Sequence, residues 1–376
     1  MYSQQELDDA VASGVIKPAD ADALRAYIEG QRSTAIPDEE QFRLITGFND
    51  IFVSIAAAIL LFAVGWIGQS IGQATGLVIS DHGDIGPSFL APLAVVATSW
   101  ALALFFTAKR RMALPSILLL LAFVGGVLAS TAFLLVQVIG PDRFNDQNQV
   151  LAATVGGVSA AVAAAAAWLH WRRFTVPITV AAGAAAVAGI FLAIVVAIVQ
   201  PDNNKSAQDV ILGFVLLLGI GMFLFAMWWD SSDRARLTRR SDVAFWLHLL
   251  AAPMIAHPIF TLLGVTNGSV GTGVGLLVVG LYILFGLTAL AVDRRALLVS
   301  ALAYVLYALT ELFKRFGAVE LNIALTALVI GSALLLLSAY WHQARRIVVN
   351  RLPANLQSRL PDLDRPAAVP AIAPAA

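Results

Sequence analysis

Residues 112–139 read MALPSILLLLAFVGGVLASTAFLLVQVI, with Arg110 and Arg111 just before them and Pro141-Asp142 just after. No charged side chain falls between Met112 and Ile139. Hydrocarbon about 30 Å thick is crossed by about 20 helical residues rising 1.5 Å each, so this run is long enough to span a bilayer. In hydrocarbon every backbone polar group must be satisfied within the segment. The run is too long and too uniformly apolar for a barrel strand, so helix is the expected state.

Working outward, the same pattern predicts ten spans: Ile51–Ile71, Phe89–Ala108, Met112–Ile139, Val150–Leu169, Phe174–Val199, Val210–Trp229, Val243–Val265, Val274–Val292, Ala296–Phe313 and Leu321–Trp341. The expected fold class is all-α, a polytopic transmembrane helical bundle. Composition agrees, with 59% hydrophobic and 13% charged residues, a balance that soluble domains rarely reach. Formal net charge is zero, so no nucleic acid or other polyanion is an expected partner, and the lipid bilayer is. The absence of cysteine excludes disulfides, thiolate chemistry and cysteine-based zinc sites. Met1 to Ile36 is polar and acidic, unlike a cleavable signal peptide.

Orientation follows from the charges, because cytoplasmic connections collect Lys and Arg. Twenty of the 24 basic residues fall on one set of segments: the N-terminus, Lys109–Arg111, Arg172–Arg173, Arg234–Arg240, Arg294–Arg295 and the stretch from Arg345 onward. Arg143, Lys205, Lys314 and Arg315 fall on the other. Both termini are therefore expected in the cytoplasm. The opposite loops, among them Gln73–Pro87 and Pro141–Gln149, are short.

Arg110-Arg111-Met-Ala-Leu-Pro115 is echoed by Arg172-Arg173-Phe-Thr-Val-Pro177. Pro141-Asp142 is echoed by Pro201-Asp202. A period of about 60 residues is one helical hairpin, so spans 3–4 and 5–6 read either as a parallel duplication or as hairpins converging on similar ends.

Residues 1–36 form a cytoplasmic helical hairpin in this reading. Gly14 suits the positive φ after a helix end, and Pro18 suits the first turn of the next helix. Residues 37–50 make a juxtamembrane helix with Pro37-Asp38-Glu39-Glu40 at its start. Residues 51–341 form the bundle, and the Pro/Ala-rich 342–376 a largely disordered tail. Residues 1–50 hold ten acids against four bases, which makes the hairpin a candidate for docking on a protein partner or for self-association.

Leu7-Asp-Asp-Ala-Val-Ala-Ser-Gly-Val-Ile-Lys-Pro18, taken with Glu39 to Val53, resembles a family of predicted bacterial multi-pass inner-membrane proteins that carry such a hairpin. The resemblance covers residues 1–70 most clearly. It implies an inner-membrane location and brings no activity and no site residues.

Charged or broken elements within the spans are the candidate sites. Glu311 is the most costly, at about 3 kcal/mol if ionised and facing lipid. Tyr304, Tyr307, Glu311 and Arg315 recur at helical spacing and share a face. They read either as a solute or proton path or as an interfacial ion pair, with Arg315 or Lys314 opposite Glu311, flanked by tyrosine anchors. Span 7 holds His248 and His257 with Pro253 and Pro258. A kinked helix there could line a cavity, or the histidines could be satisfied structurally. They are nine residues apart and a poor metal pair. Asn49-Asp50 reads as a gate or as a helix cap, and Asp81-His82-Gly83-Asp84 as a weak cation loop or a solvated turn. Gly271-Thr-Gly273-Val-Gly275 follows no strand, so it is not a phosphate loop. The arginines of the Arg234–Arg240 run read as topology determinants or as contacts to anionic lipid.

No catalytic, cofactor or metal motif stands out. The expectation is a non-enzymatic scaffold or binding protein whose small-molecule ligand is unknown. The alternative is a solute or proton-coupled transporter using Glu311 and a kinked span 7.

Overall fold

A computed structural model describes residues 11–24, 48–81, 84–144, 148–201, 205–236, 238–265, 271–315 and 322–363. The chain divides into two units, one of residues 1–42 with 362–376 and one of residues 43–361. In the first, Gly14 turns the chain at φ +74°, and residues 18–24 are helical. The remainder of the expected hairpin and the residues 37–47 lie outside the described residues.

The second unit is an all-α membrane bundle. Its helices are α1 (Phe48–Thr75), α2 (Leu90–Phe106), α3 (Ala113–Ile139), α4 (Gln149–Phe174), α5 (Ile178–Val199), α6 (Lys205–Ser231), α7 (Arg239–Leu262), α8 (Thr272–Val292), α9 (Ala296–Arg315) and α10 (Asn322–Ala339). Each corresponds to one expected span. Eight are long and apolar enough to cross a bilayer alone. Helix α2 is the short exception at 17 residues. Helix α10 continues into α11 (Trp341–Val349) through a 77° bend.

Short connections make sequential helices neighbours, so α1 to α4 pack in order and α4 pairs with α5 and α6 with α7. Helix α7 then takes the central position, touching α5, α6 and α9, and it is the most buried span. Its mid-length face is made of Ala251, Ala252, Ala256 and Phe260, all fully buried. Small side chains there let neighbouring backbones close in, which is how helices associate where lipid is as apolar as leucine.

Two close approaches depend on glycine. At Gly219 of α6 an added methyl would meet the Met254 backbone carbon and oxygen of α7 at 2.8 Å. At Gly68 of α1 it would meet the Leu90 carbonyl oxygen of α2 at 2.6 Å. Beyond Gly68, Gln69 clamps the connection between α1 and α2. Its amide donates to Gly86 O at 3.1 Å and accepts from Ser88 N at 2.8 Å. That connection carries the two-residue strands β1 (Ser80–Asp81) and β2 (Asp84–Ile85), antiparallel with Ser80 opposite Ile85.

Helix α7 runs on as one helix across Pro253 and Pro258. Pro258 cannot donate to the Met254 carbonyl four residues back, and that carbonyl is the one that abuts Gly219. The sharp bend falls instead between α10 and α11, where no proline occurs. One expectation, that of a largely disordered tail, needs correcting. Residues 342–361 are not disordered but fold against the bundle as α11 and α12 (Ala354–Gln357). Trp341, Arg345 and Val349 recur at spacings of four and are buried, while Arg346 and Ile347 are exposed. Helix α11 is thus amphipathic and lies on α8. Residues 364–376 lie outside the described residues.

Candidate functional site

The chemistry of the bundle concentrates at its arginine-rich end, in a cluster built from three long helices, α6, α7 and α8, with their connections, α11 and the tail. Helix α6 delivers Asp230 directly after Trp228 and Trp229. The connection to α7 supplies Arg236, held at φ +55°. Helix α7 supplies Ser241 and His248, and its first turn is capped by the Thr238 side chain, which accepts from Arg240 N. Asp233 in turn accepts from Thr238 N at 2.9 Å and Thr238 Oγ1 at 2.7 Å. Helix α8 ends on Asp293 at φ +60°, followed by Arg294 and Arg295.

Asp230 is fully buried, and Arg294 grips it with two donors, Nη2 to Oδ1 at 2.7 Å and Nε to Oδ2 at 3.3 Å. The same Nη2 donates to Ser241 O at 2.9 Å. His248 Nε2 lies 3.1 Å from Asp230 Oδ2. An ionised carboxylate only accepts, so Nε2 is the nitrogen that carries the proton in this contact. Arg236 bridges to the second acid. It donates to Asp293 Oδ2 at 3.0 Å and to the backbone oxygens of Val292 and Asp293 at 3.0 and 3.2 Å. Helix C-termini present carbonyls without intrahelical donors and a partial negative charge, which is what Arg236 meets at the end of α8. Trp341 Nε1 of α11 donates to Asp293 Oδ1 at 2.8 Å.

The tail closes the cluster. Arg345 lies 3.8 Å from Asp293 Oδ1 and donates to Pro361 O at 2.6 Å. Arg234 Nε donates to Leu360 O at 2.8 Å. Three arginines, Arg236, Arg294 and Arg345, thus surround two aspartates; Arg236 is half-buried and the other four are buried. Phe245 packs under the Arg294 guanidinium at 5.8 Å and Phe223 meets His248 edge-on at 5.1 Å, which restricts water around the pairs.

The residues singled out from sequence are placed in three separate regions. His248 belongs to the buried cluster. His257, half a turn out of phase along α7, is exposed. Its Nδ1 lies 2.6 Å from the Tyr304 hydroxyl of α9, and Tyr304 stacks on Phe260. Glu311 pairs with Lys314 at 2.6 Å one helical turn away. Tyr307 is exposed on the outside of α9, and the Arg315 side chain lies outside the described residues. Asp50 is buried in the first turn of α1. Residues 82–83 lie outside the described residues. Among the described residues no three His, Asp or Glu side chains gather as a metal site would require.

Asp230, Asp293, Arg294 and Arg345 are not among the sequence candidates, and Arg236 is read there only within the Arg234–Arg240 run, as a topology determinant or a lipid contact. One signal is present in the sequence: an aspartate ends an apolar run shortly before arginines, four residues before Arg234 in the case of Asp230 and directly before Arg294 in the case of Asp293.

A second buried histidine, His170 of α4, lies 3.3 Å from Thr179 Oγ1 of α5. Trp100, Phe123 and Phe174 surround its ring. An apolar groove of about 340 Å³ lies between α5 and α6 and includes Ile198 and Phe214.

Comparison of the chain with family models, curated proteins and solved structures gives no match.

Proposed function

We propose that this chain is a non-enzymatic scaffold or binding protein of the bacterial inner membrane, with both termini in the cytoplasm. The observation that carries the reading is the internal saturation of its charges. The buried aspartates and arginines at the basic end bind one another and the tail, and Glu311 at the opposite end binds Lys314. Between those ends the centre is apolar, with Ala252, Phe260, Val278, Ala301 and Val305 all buried. A bundle locked in this way holds a fixed platform for parts outside the membrane. The acidic hairpin of residues 1–36 is the part suited to a protein partner or to self-association. The alternation of basic residues supports the orientation, and the likeness of residues 1–70 to predicted bacterial membrane proteins supports the location.

Because the chain contains no cysteine, single cysteines are clean reporters. Cysteine placed at Ala252, Ala301 or Val305 and exposed to a charged, membrane-impermeant thiol reagent in vesicles is expected to stay unlabelled. Labelling at successive depths would reveal an aqueous path and replace this reading with solute or proton transport. Light scattering of detergent-solubilised protein with and without residues 1–36 then reads self-association through the hairpin as a loss of mass per particle.

A further inference from the structure

We propose that the cleft between α8, α9 and α10 at the basic end is a binding site for an anionic phospholipid. Its phosphate would lie at Arg295 and one acyl chain would run inward along α9. The cleft has a volume of about 120 Å³ and an apolar wall that includes Leu298, Leu302, Leu334 and Leu337. Its polar groups have a definite order. Arg295, Ser338 and Trp341 stand at the basic end, where α8 passes into α9 and α10 into α11. The Arg295 guanidinium lies over the Trp341 ring at 4.7 Å, which fixes its plane at the mouth of the cleft. Arg295 directly precedes α9, whose first amides point to the same end and add a partial positive charge. A guanidinium recognises phosphate with two parallel donors; phosphatidylcholine offers the same phosphate but adds a quaternary ammonium that Arg295 repels, so a lipid of net negative charge is favoured.

Tyr282 of α8 completes the wall. Helix rise sets the length. Leu302 lies seven residues from Arg295, about 10 Å along the axis, which is a headgroup-to-chain distance. The larger groove between α5 and α6 has no charged residue on its wall and does not select a headgroup.

The test uses full-length protein, delipidated in detergent and offered equal amounts of phosphatidylglycerol and phosphatidylcholine with identical chains, with bound lipid counted by native mass spectrometry. The wild type is expected to retain phosphatidylglycerol over phosphatidylcholine by about tenfold. Arg295→Gln brings that ratio close to one, and Arg295→Lys, which keeps the charge but neither the paired donors nor the plane over Trp341, gives a ratio between the two. Leu302→Trp, which fills the apolar part, lowers retention of both lipids. Arg346→Gln, an exposed base on α11, leaves the ratio unchanged. Equal retention of the two lipids by the wild type overturns the proposal. So does an Arg346→Gln effect as large as that of Arg295→Gln, which would mean a diffuse surface attraction. A fatty acid of the same chain length that displaces phosphatidylglycerol at equal concentration overturns the phospholipid as occupant. Should Arg295→Gln fail to fold, Arg295→Lys and Leu302→Trp decide: an unchanged lipid count in Leu302→Trp is equally fatal.

Discussion

Asp230 receives two hydrogen bonds from Arg294 and one from His248 with its side chain fully out of contact with solvent. Charges taken out of water are costly unless paired, and deleting one partner leaves the other uncompensated. Asp230→Ala is therefore expected to destabilise the protein by about 3–5 kcal/mol, read from denaturant or thermal unfolding in detergent. Asp230→Asn, which keeps the shape and one acceptor, should fall between it and the wild type. Glu311→Gln belongs to a different regime. Glu311 and Lys314 are partly exposed, and such pairs contribute about 0–1 kcal/mol. Equal costs for Asp230→Ala and Glu311→Gln would show that the cluster is not the anchor of this end. Hydropathy singles out Glu311 because it lies within an apolar run, and passes over Asp230 because that residue stands at the edge of one beside two tryptophans. Distance along the chain concealed the rest: Arg294 is 64 residues beyond Asp230.

At the scale of the helix, α7 shows how prolines are accommodated in a membrane span. Each proline removes one backbone hydrogen bond, and the Met254 carbonyl released by Pro258 is covered by the close approach of Gly219. Gly219→Ala must push α6 from α7 and is expected to cost about 1–3 kcal/mol. Gly221→Ala, two residues along the same helix with nothing within 4 Å of the added methyl, should be neutral or slightly stabilising, because glycine in a helix interior costs about 1 kcal/mol relative to alanine. A melting comparison of the two variants checks this directly. Tyr304→Phe removes the hydroxyl that meets His257 and is expected to cost about 1 kcal/mol, with no effect on the cluster around His248. Hydropathy marked both prolines but could not show what would lie across from them. The bend between α10 and α11 was invisible for a related reason: Trp341 to Val349 is amphipathic, and its buried face exists only because α8 lies beneath it.

For the whole molecule, the tail tests how the basic end is closed. Ending the chain at Asn350 removes the Leu360 and Pro361 carbonyls that Arg234 and Arg345 engage. Each is a hydrogen bond from a charged donor, worth about 1.5–3 kcal/mol. The truncated protein is expected to melt earlier, and a cysteine at Asp293 should become labelled more readily than in the full chain. A cysteine at exposed Ser358 should react only in inside-out vesicles if the basic end faces the cytoplasm.

Ten apolar runs, their order and the side on which arginine gathers were determined by the sequence alone, because crossing hydrocarbon imposes length and apolarity on each segment independently of its neighbours. The turn at Gly14 was legible for the same reason, since a positive φ is a local demand. Tertiary structure alone decided that the arginines at Arg236, Arg294 and Arg345 are partners of Asp230 and Asp293, that α7 stays whole, and that residues 342–361 pack on the bundle. Ion pairing and close packing depend on which surfaces meet, and residues separated by 50 or more positions meet only when the helices have assembled.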